Sequence, residues 1–165
     1  VQTCALPIYM LELGKKAADL DAARTLAEMK IADGSALEKF RALVLVQSGD
    51  VSYVDHPEKI STAKIEKVIT AESSGFIAEI HARTVGETAI DLGAGRAKKT
   101  DEIDAAVGIL VHKKVGNRVQ RGDPVFTILA NDESKVQPAE IRLQQALKIS
   151  QYKVEPLPLF YGVIA

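Results

Sequence analysis

The spacing of apolar residues changes near residue 64, from a helical period to a strand-rich texture, and that change limits what the chain can fold into. Before it, Leu20, Ala23, Leu26, Ala27 and Ile31 recur at three- and four-residue intervals, the period of one buried helix face. Asp19 is placed to cap that helix, because its carboxylate can accept an unbonded N–H of the first turn. Gly34 is a natural stop, since glycine enters the left-handed conformation without a Cβ clash. Ser35-Ala36-Leu37-Glu38 reads as a capping box, opening a second helix with Leu37, Phe40 and Val44 on one face. Tyr9 to Gln47 is therefore predicted as a helical hairpin.

Asp50 to Ala63 is polar, interrupted by Pro57, and reads as a linker or surface loop. Beyond it the texture is that of strands. Lys64–Ile69 and Gly75–Ile80 are β-rich with partial alternation, and Val107–His112 and Val125–Leu129 are apolar runs suited to buried strands. Thr84–Leu92 fits a short helix. Gly116-Asn117 and Gly122-Asp123-Pro124 are turn signals. Lys135–Ile149 returns to a helical pattern, with Pro138 tolerable if it falls in the first turn. Helices followed by strands predict an α+β fold rather than a doubly wound parallel sheet.

Composition excludes several functions. A formal net charge of -1 offers no polybasic surface for nucleic acid or anionic membrane. Aromatic residues are 5% and Trp is absent, which disfavours stacking platforms for single strands. No apolar run approaches the ~20 residues of a membrane-spanning helix, so the expected location is cytoplasmic. Cys4 is the single cysteine, too few for a disulfide framework or a zinc quartet. It lies in Val1-Gln2-Thr3-Cys4-Ala5-Leu6-Pro7-Ile8, which looks like a translated sequencing-library adapter. Residues 1–8 are read as an adapter-derived artefact, not a signal peptide.

Candidate chemistry is sparse. Gly93-Ala94-Gly95 starts like a dinucleotide fingerprint, but Lys98 stands where a third glycine belongs. A helix C-cap and tight turn is the better reading. The alternative is a mobile basic loop, Arg96 to Thr100, closing over an anionic ligand; Arg96, Lys98 and Lys99 are its cations. Lys113, Lys114, Arg118 and Arg121 cluster around a turn and read as a solvated surface, compensated by Asp123 and Glu133. His56, His81 and His112 lack metal or catalytic spacing and read as structural residues. Asp101, Glu102 and Asp104 read as caps and turn formers. No catalytic residue, metal site or cofactor is assigned.

Val107-Gly108 through Gly122-Asp123-Pro124-Val125 resembles the turn of biotinyl and lipoyl carrier domains. The residues after Leu129 are Ala130-Asn131-Asp132, without the lysine such carriers modify. A non-catalytic barrel-sandwich binding or carrier-like module is the alternative function.

Gly93-Ala94-Gly95-Arg96, Ile103-Asp104 with Val107-Gly108, and His112-Lys113-Lys114-Val115-Gly116 carry a second resemblance. With the Ser35–Phe40 stretch, Gln47-Ser48-Gly49-Asp50 and Pro158–Ile164, they resemble the pyrimidine nucleoside phosphorylase and thymidine phosphorylase family. The match runs from about Tyr9 to Val163. Ser48 stands where the family usually has glycine, and Phe76-Ile77 where it has Tyr or Val. The resemblance implies a helical remnant of a larger α/β domain over 9–50, a linker over 51–63, and an α/β-hammerhead-like barrel-sandwich domain over 64–165. It implies a pentosyltransferase of pyrimidine nucleoside salvage, with phosphate cleaving thymidine, uridine or deoxyuridine to base and pentose 1-phosphate. The parent enzyme is implied to be a homodimer without cofactor. The family's phosphate- and base-binding motifs precede the matched region, so the chain alone is expected to be an inactive fragment.

Overall fold

The computed structural model describes residues 5–60, 62–96, 98–158 and 161–162. They divide into two compact units, Val1–Lys59 and Ile60–Ala165. Among the described residues, no helix is long and apolar enough to cross a membrane.

The first unit contains α1 (Ala5–Leu13), α2 (Leu20–Ala32), α3 (Ser35–Val46), the single turn α4 (Ser52–Asp55) and a 3-10 turn, Pro57–Lys59. The expected hairpin is thus preceded by a further helix. Residues 1–4 of the segment read as adapter-derived lie outside the described residues; Ile8 from that segment sits in α1 and is buried. Asp19 caps α2 as its chemistry predicts, its Oδ1 accepting from Ala22 N–H at 2.8 Å.

The expected capping box does not form. Gly34 takes the cap position of α3 in the left-handed conformation (φ 77°), and it has no side chain to offer. Ser35 N–H donates instead to Asp33 Oδ1 at 2.8 Å, and Glu38 pairs with Arg41 at 3.5 Å. Arg41 also bonds Asp55 at 2.8 Å, tying α3 to α4.

Of the periodic α2 stripe only Ala23 is fully buried, while Leu26 and Ala27 are half-buried and Ile31 is exposed. Leu37 and Phe40 of α3 are each more than half exposed. A helix stripe is buried only where another element covers it, and here little does.

The second unit contains β1 (Ile65–Thr70), β2 (Gly75–Ile80), α5 (Ala82–Ala89) with a wider turn at Ile90–Ala94, β3 (Gly108–Val111), β4 (Arg118–Val119), β5 (Pro124–Ala130), α6 (Glu133–Gln145) and β6 (Leu147–Ser150). The strands form two antiparallel three-stranded sheets, ordered β1-β5-β3 and β4-β2-β6. This is an α+β arrangement.

β5 is the middle strand of its sheet, with Thr127 opposite Val68 on one side and Leu110 on the other. Val125, Phe126, Thr127 and Ile128 are all buried, which explains why this strand reads as a continuous apolar run rather than an alternating one. Val136, Ala139 and Leu143 of α6 join the same core, with Ile69, Ile77 and Val119.

Two expectations need correcting here. The helix predicted to Ile149 stops at Gln145, and Leu147–Ser150 becomes a strand, with Ile149 opposite Ile77 and Leu147 opposite Ile80. A β-branched residue beside an open strand edge gains more from pairing than from another helical turn. Pro138 is the sixth residue of α6, outside the first turn, because Asp132 caps the helix early by accepting from Ser134 N–H at 3.0 Å. The missing N–H of Pro138 leaves one helical bond unmade.

Candidate functional site

α5 runs into the Gly-Ala-Gly-Arg segment, and each glycine there has its own reason. Gly93 ends the helix at φ 117°, a conformation that L side chains rarely adopt. Gly95 is extended, but a Cβ on it would lie 2.9 Å from Ile90 Cγ1. Ala94 packs against the core between them. The segment is a helix stop, not a phosphate cradle opening a helix.

The helix leading into it is fixed at several points. His81 caps α5, its Nδ1 accepting from Thr84 N–H at 3.3 Å. The Thr88 hydroxyl is buried and donates to Thr84 O at 2.7 Å. Arg142 of α6 pairs with Asp91 and, at 3.4 Å, with Glu87, which also bonds Arg83 at 2.7 Å.

Beyond Gly95 the loop folds on itself. Arg96 Nε donates to the carbonyl of Asp101 at 3.1 Å, and the Lys98 N–H donates to Asp101 Oδ2 at 2.8 Å. Lys99 is exposed to solvent. An adjoining cleft of ≈ 480 Å³ is lined by Glu102, Ile103, Asp104, Ala105 and Ala106, so it presents carboxylates rather than cations. The structure gathers Arg96, Lys98 and Asp101 into one hydrogen-bonded turn.

Asp104 closes the loop onto the sheet. Its N–H donates to Gly93 O at 3.0 Å, its Oδ1 accepts from Ala106 N–H at 3.0 Å, and its Oδ2 accepts from Asn131 at 2.7 Å. Asn131 also accepts from Lys64 N–H at 2.9 Å. The bond from Asn131, and then that from Ala106, hold the Asp104 carboxyl below its ordinary value. Glu79 beside Lys148, Glu87 beside Arg83 and Asp132 beside Ser134 are lowered in the same way.

A carboxylate lowered on folding contributes stability above its unfolded pKa, and that contribution is lost as pH falls through the folded one. The thermal midpoint should therefore stay level from neutral pH to about 5 and drop below about 4. Asn131→Ala should make that drop shallower. Melting curves followed by circular dichroism across that range check it, and a parallel decline in the variant would count against the assignment.

The remaining candidates also have structural partners. His56 contacts Glu58 at 3.1 Å and His112 contacts the buried Thr127 hydroxyl at 2.7 Å. Lys113 approaches Asp123 at 3.8 Å, whereas Arg118 and Arg121 line a groove with Ser74 and Gln151. Sequence reasoning missed that grouping, since its members come from three distant segments. Among the described residues, no group of three His, Cys, Asp or Glu side chains could hold a metal ion. Nor does β5 lead to a displayed hairpin tip; it passes through Asn131 and Asp132 into α6.

Two antiparallel sheets packed with helices, with a self-bonded loop at a helix stop, define a small α+β domain. Residues 76–150 match the pyrimidine nucleoside phosphorylase C-terminal domain. The chain is 40% identical over 157 residues to a pyrimidine-nucleoside phosphorylase of Geobacillus stearothermophilus, covering 95% of this chain and 36% of that protein. It is 46% identical over 125 residues to one from Bacillus subtilis (76% and 29% covered), and 37% identical over 147 residues to one from Staphylococcus aureus (89% and 34%). The chain belongs to the pyrimidine nucleoside phosphorylase family, corresponding to its C-terminal part. It spans about a third of the length of these curated relatives.

Proposed function

We propose that this chain is the C-terminal part of a pyrimidine nucleoside phosphorylase, a pentosyltransferase acting in nucleoside salvage in the cytoplasm. Inorganic phosphate attacks C1′ of thymidine, uridine or deoxyuridine. The glycosidic bond breaks with its electron pair going to the base, and pyrimidine and pentose 1-phosphate leave. Such catalysis rests on positioning and on stabilising the charge that develops as the bond loosens. The observation that carries this reading is the 157-residue similarity to the Geobacillus enzyme, which takes in 95% of the chain.

On this reading residues 64–165 are an α/β-hammerhead-like, barrel-sandwich scaffold that follows a linker over 51–63, and the helices over 9–50 belong to the larger domain of a homodimeric enzyme. The half-exposed Leu37, Phe40 and Leu43 of α3 support that assignment, since they form an apolar face of the kind another part of the enzyme would cover. Arg96, Lys98 and Lys99 lie on the loop that closes over the anionic substrate. Gly93 is its hinge, and the Arg142–Asp91 pair holds its base.

Apart from those loop cations, the chain by itself carries no group assigned to binding phosphate or base in the phosphorylase reaction. Purified alone, it is expected to release no thymine or uracil from thymidine or uridine in phosphate buffer, measured by chromatography. Turnover above a protein-free blank would overturn the inactivity of the isolated chain.

A further inference from the structure

Among the described residues of the second unit, a groove on the β2–β4 edge gathers two arginines on a hydrogen-bonded polar frame. Its ≈ 410 Å³ are lined by Ser74, Phe76, Arg118, Gln120, Arg121 and Gln151, among others, and no carboxylate is among the lining residues. The nearby acid Asp123 accepts from the backbone N–H of the lining residue Gln120 at 3.1 Å and faces Lys113 at 3.8 Å. Among the described residues, neither Arg118 nor Arg121 makes an ion pair.

The groove's frame is held from three directions. Arg121 N–H donates to Ser74 Oγ at 3.0 Å, and Gln151 Nε2 donates to Ser74 O at 2.9 Å. Arg118 stands on β4, opposite Phe76 of β2. The segments carrying the two arginines and the amide are therefore fixed by the fold, while the guanidinium groups themselves stay exposed.

We propose that this groove binds a phosphate group, either as inorganic phosphate or as a phosphomonoester of a small sugar. Guanidinium forks match phosphate oxygens in geometry and charge. Exposed arginines are screened by water and salt, so a singly charged carboxylate gains little from them, and a dianion shared by two of them gains more. The volume falls within the range of small-ligand sites, and the polar lining disfavours an apolar occupant. The proposal stands apart from the reading of the chain as a phosphorylase part, because it needs no turnover.

Amide chemical shifts of the 165-residue chain, titrated with inorganic phosphate and separately with ribose 1-phosphate, test it. Saturable changes are expected at residues 74–76, 118–121 and 151 with at least one of the two, at a Kd of about 1 mM or tighter. Whichever binds more tightly identifies the source of the phosphate. Arg118→Gln and Arg121→Gln should each weaken binding about tenfold, with dispersed spectra confirming the fold. Lys114→Gln, an exposed cation outside the lining, should change it by less than about twofold. Non-saturating shifts with both probes, changes centred elsewhere, or an equal loss in Lys114→Gln would overturn the proposal.

Discussion

Replacing Phe126 with alanine is expected to lower the free energy of unfolding of the β-rich unit by about 3–5 kcal/mol. Phe126 is completely buried and heads the fully buried side chains in size. It sits on the middle strand of its sheet, opposite Ile69 on β1 and Val111 on β3. Truncation removes the transfer energy of a ring and leaves a cavity, which strands held on both edges cannot collapse to fill. Small domains hold roughly 5–15 kcal/mol in total, so a large share would be lost. The urea midpoint should fall with little change in slope. Phe40→Ala is the internal comparison. Phe40 is 51% exposed, and its removal should cost no more than about 1 kcal/mol. Equal losses at the two positions would contradict the assigned core.

Gly75→Ala is expected to be nearly as damaging, although it adds only one methyl group. A Cβ at Gly75 would lie 2.4 Å from Ser150 O and 2.8 Å from Ile149 Cγ2. Both belong to β6, whose Ser150 and Ile149 face Phe76 and Ile77 of β2. Backbone atoms cannot swing aside as a flexible side chain can, so β6 must move off β2. The cost should be about 2–3 kcal/mol, accompanied by amide shifts confined to β2 and β6. Gly86→Ala gives the opposite sign. Gly86 lies inside α5 with nothing within 4 Å of its would-be Cβ, and alanine there should stabilise by about 0.5–1 kcal/mol. Thermal melts of the two variants separate the cases. A Gly75→Ala protein that melts with the wild type would mean that β6 is not packed against β2 as described.

These two positions also mark what the sequence could and could not convey. The apolar run Val125–Leu129 was legible as a buried strand, because its shortness and the turn residues Gly122-Asp123-Pro124 before it suit a strand covered on both faces. Asp19 was legible as a cap because its partner, Ala22, is three residues away. Gly93 was legible as a helix stop for a similarly local reason. Leu147–Ser150 was not legible as a strand. Nothing within those four residues outweighs the preceding helix, and the decision belongs to β2, far away in the chain. The capping box failed on a competition between neighbours, Gly34 taking the position that Ser35 seemed to claim. The groove joins residues 74, 118, 121 and 151, a grouping that depends on sheet register and has no trace in local pattern.

The site was legible to a different extent. The motifs around Gly93 and Gly116 pointed to a family through its scaffold. In that scaffold the conspicuous residues are spent on turns, with Gly116 at φ 88° and its would-be Cβ 2.7 Å from Pro156 N. Arg96 and Lys98, weighed from sequence as cations of a closing loop, are tied to Asp101 within their own loop, Arg96 through its Nε and Lys98 through its backbone N–H.

The most direct test of the central claim is a chimera. This chain would replace the corresponding C-terminal part of the Geobacillus stearothermophilus relative, with which it shares 40% identity over 157 residues. Phosphate-dependent release of thymine or uracil would then be measured. A chain that is the C-terminal part of a pyrimidine nucleoside phosphorylase should yield a folded chimera that cleaves thymidine or uridine only when phosphate is present. A chimera that folds and assembles as the relative does, yet releases no base, would contradict it.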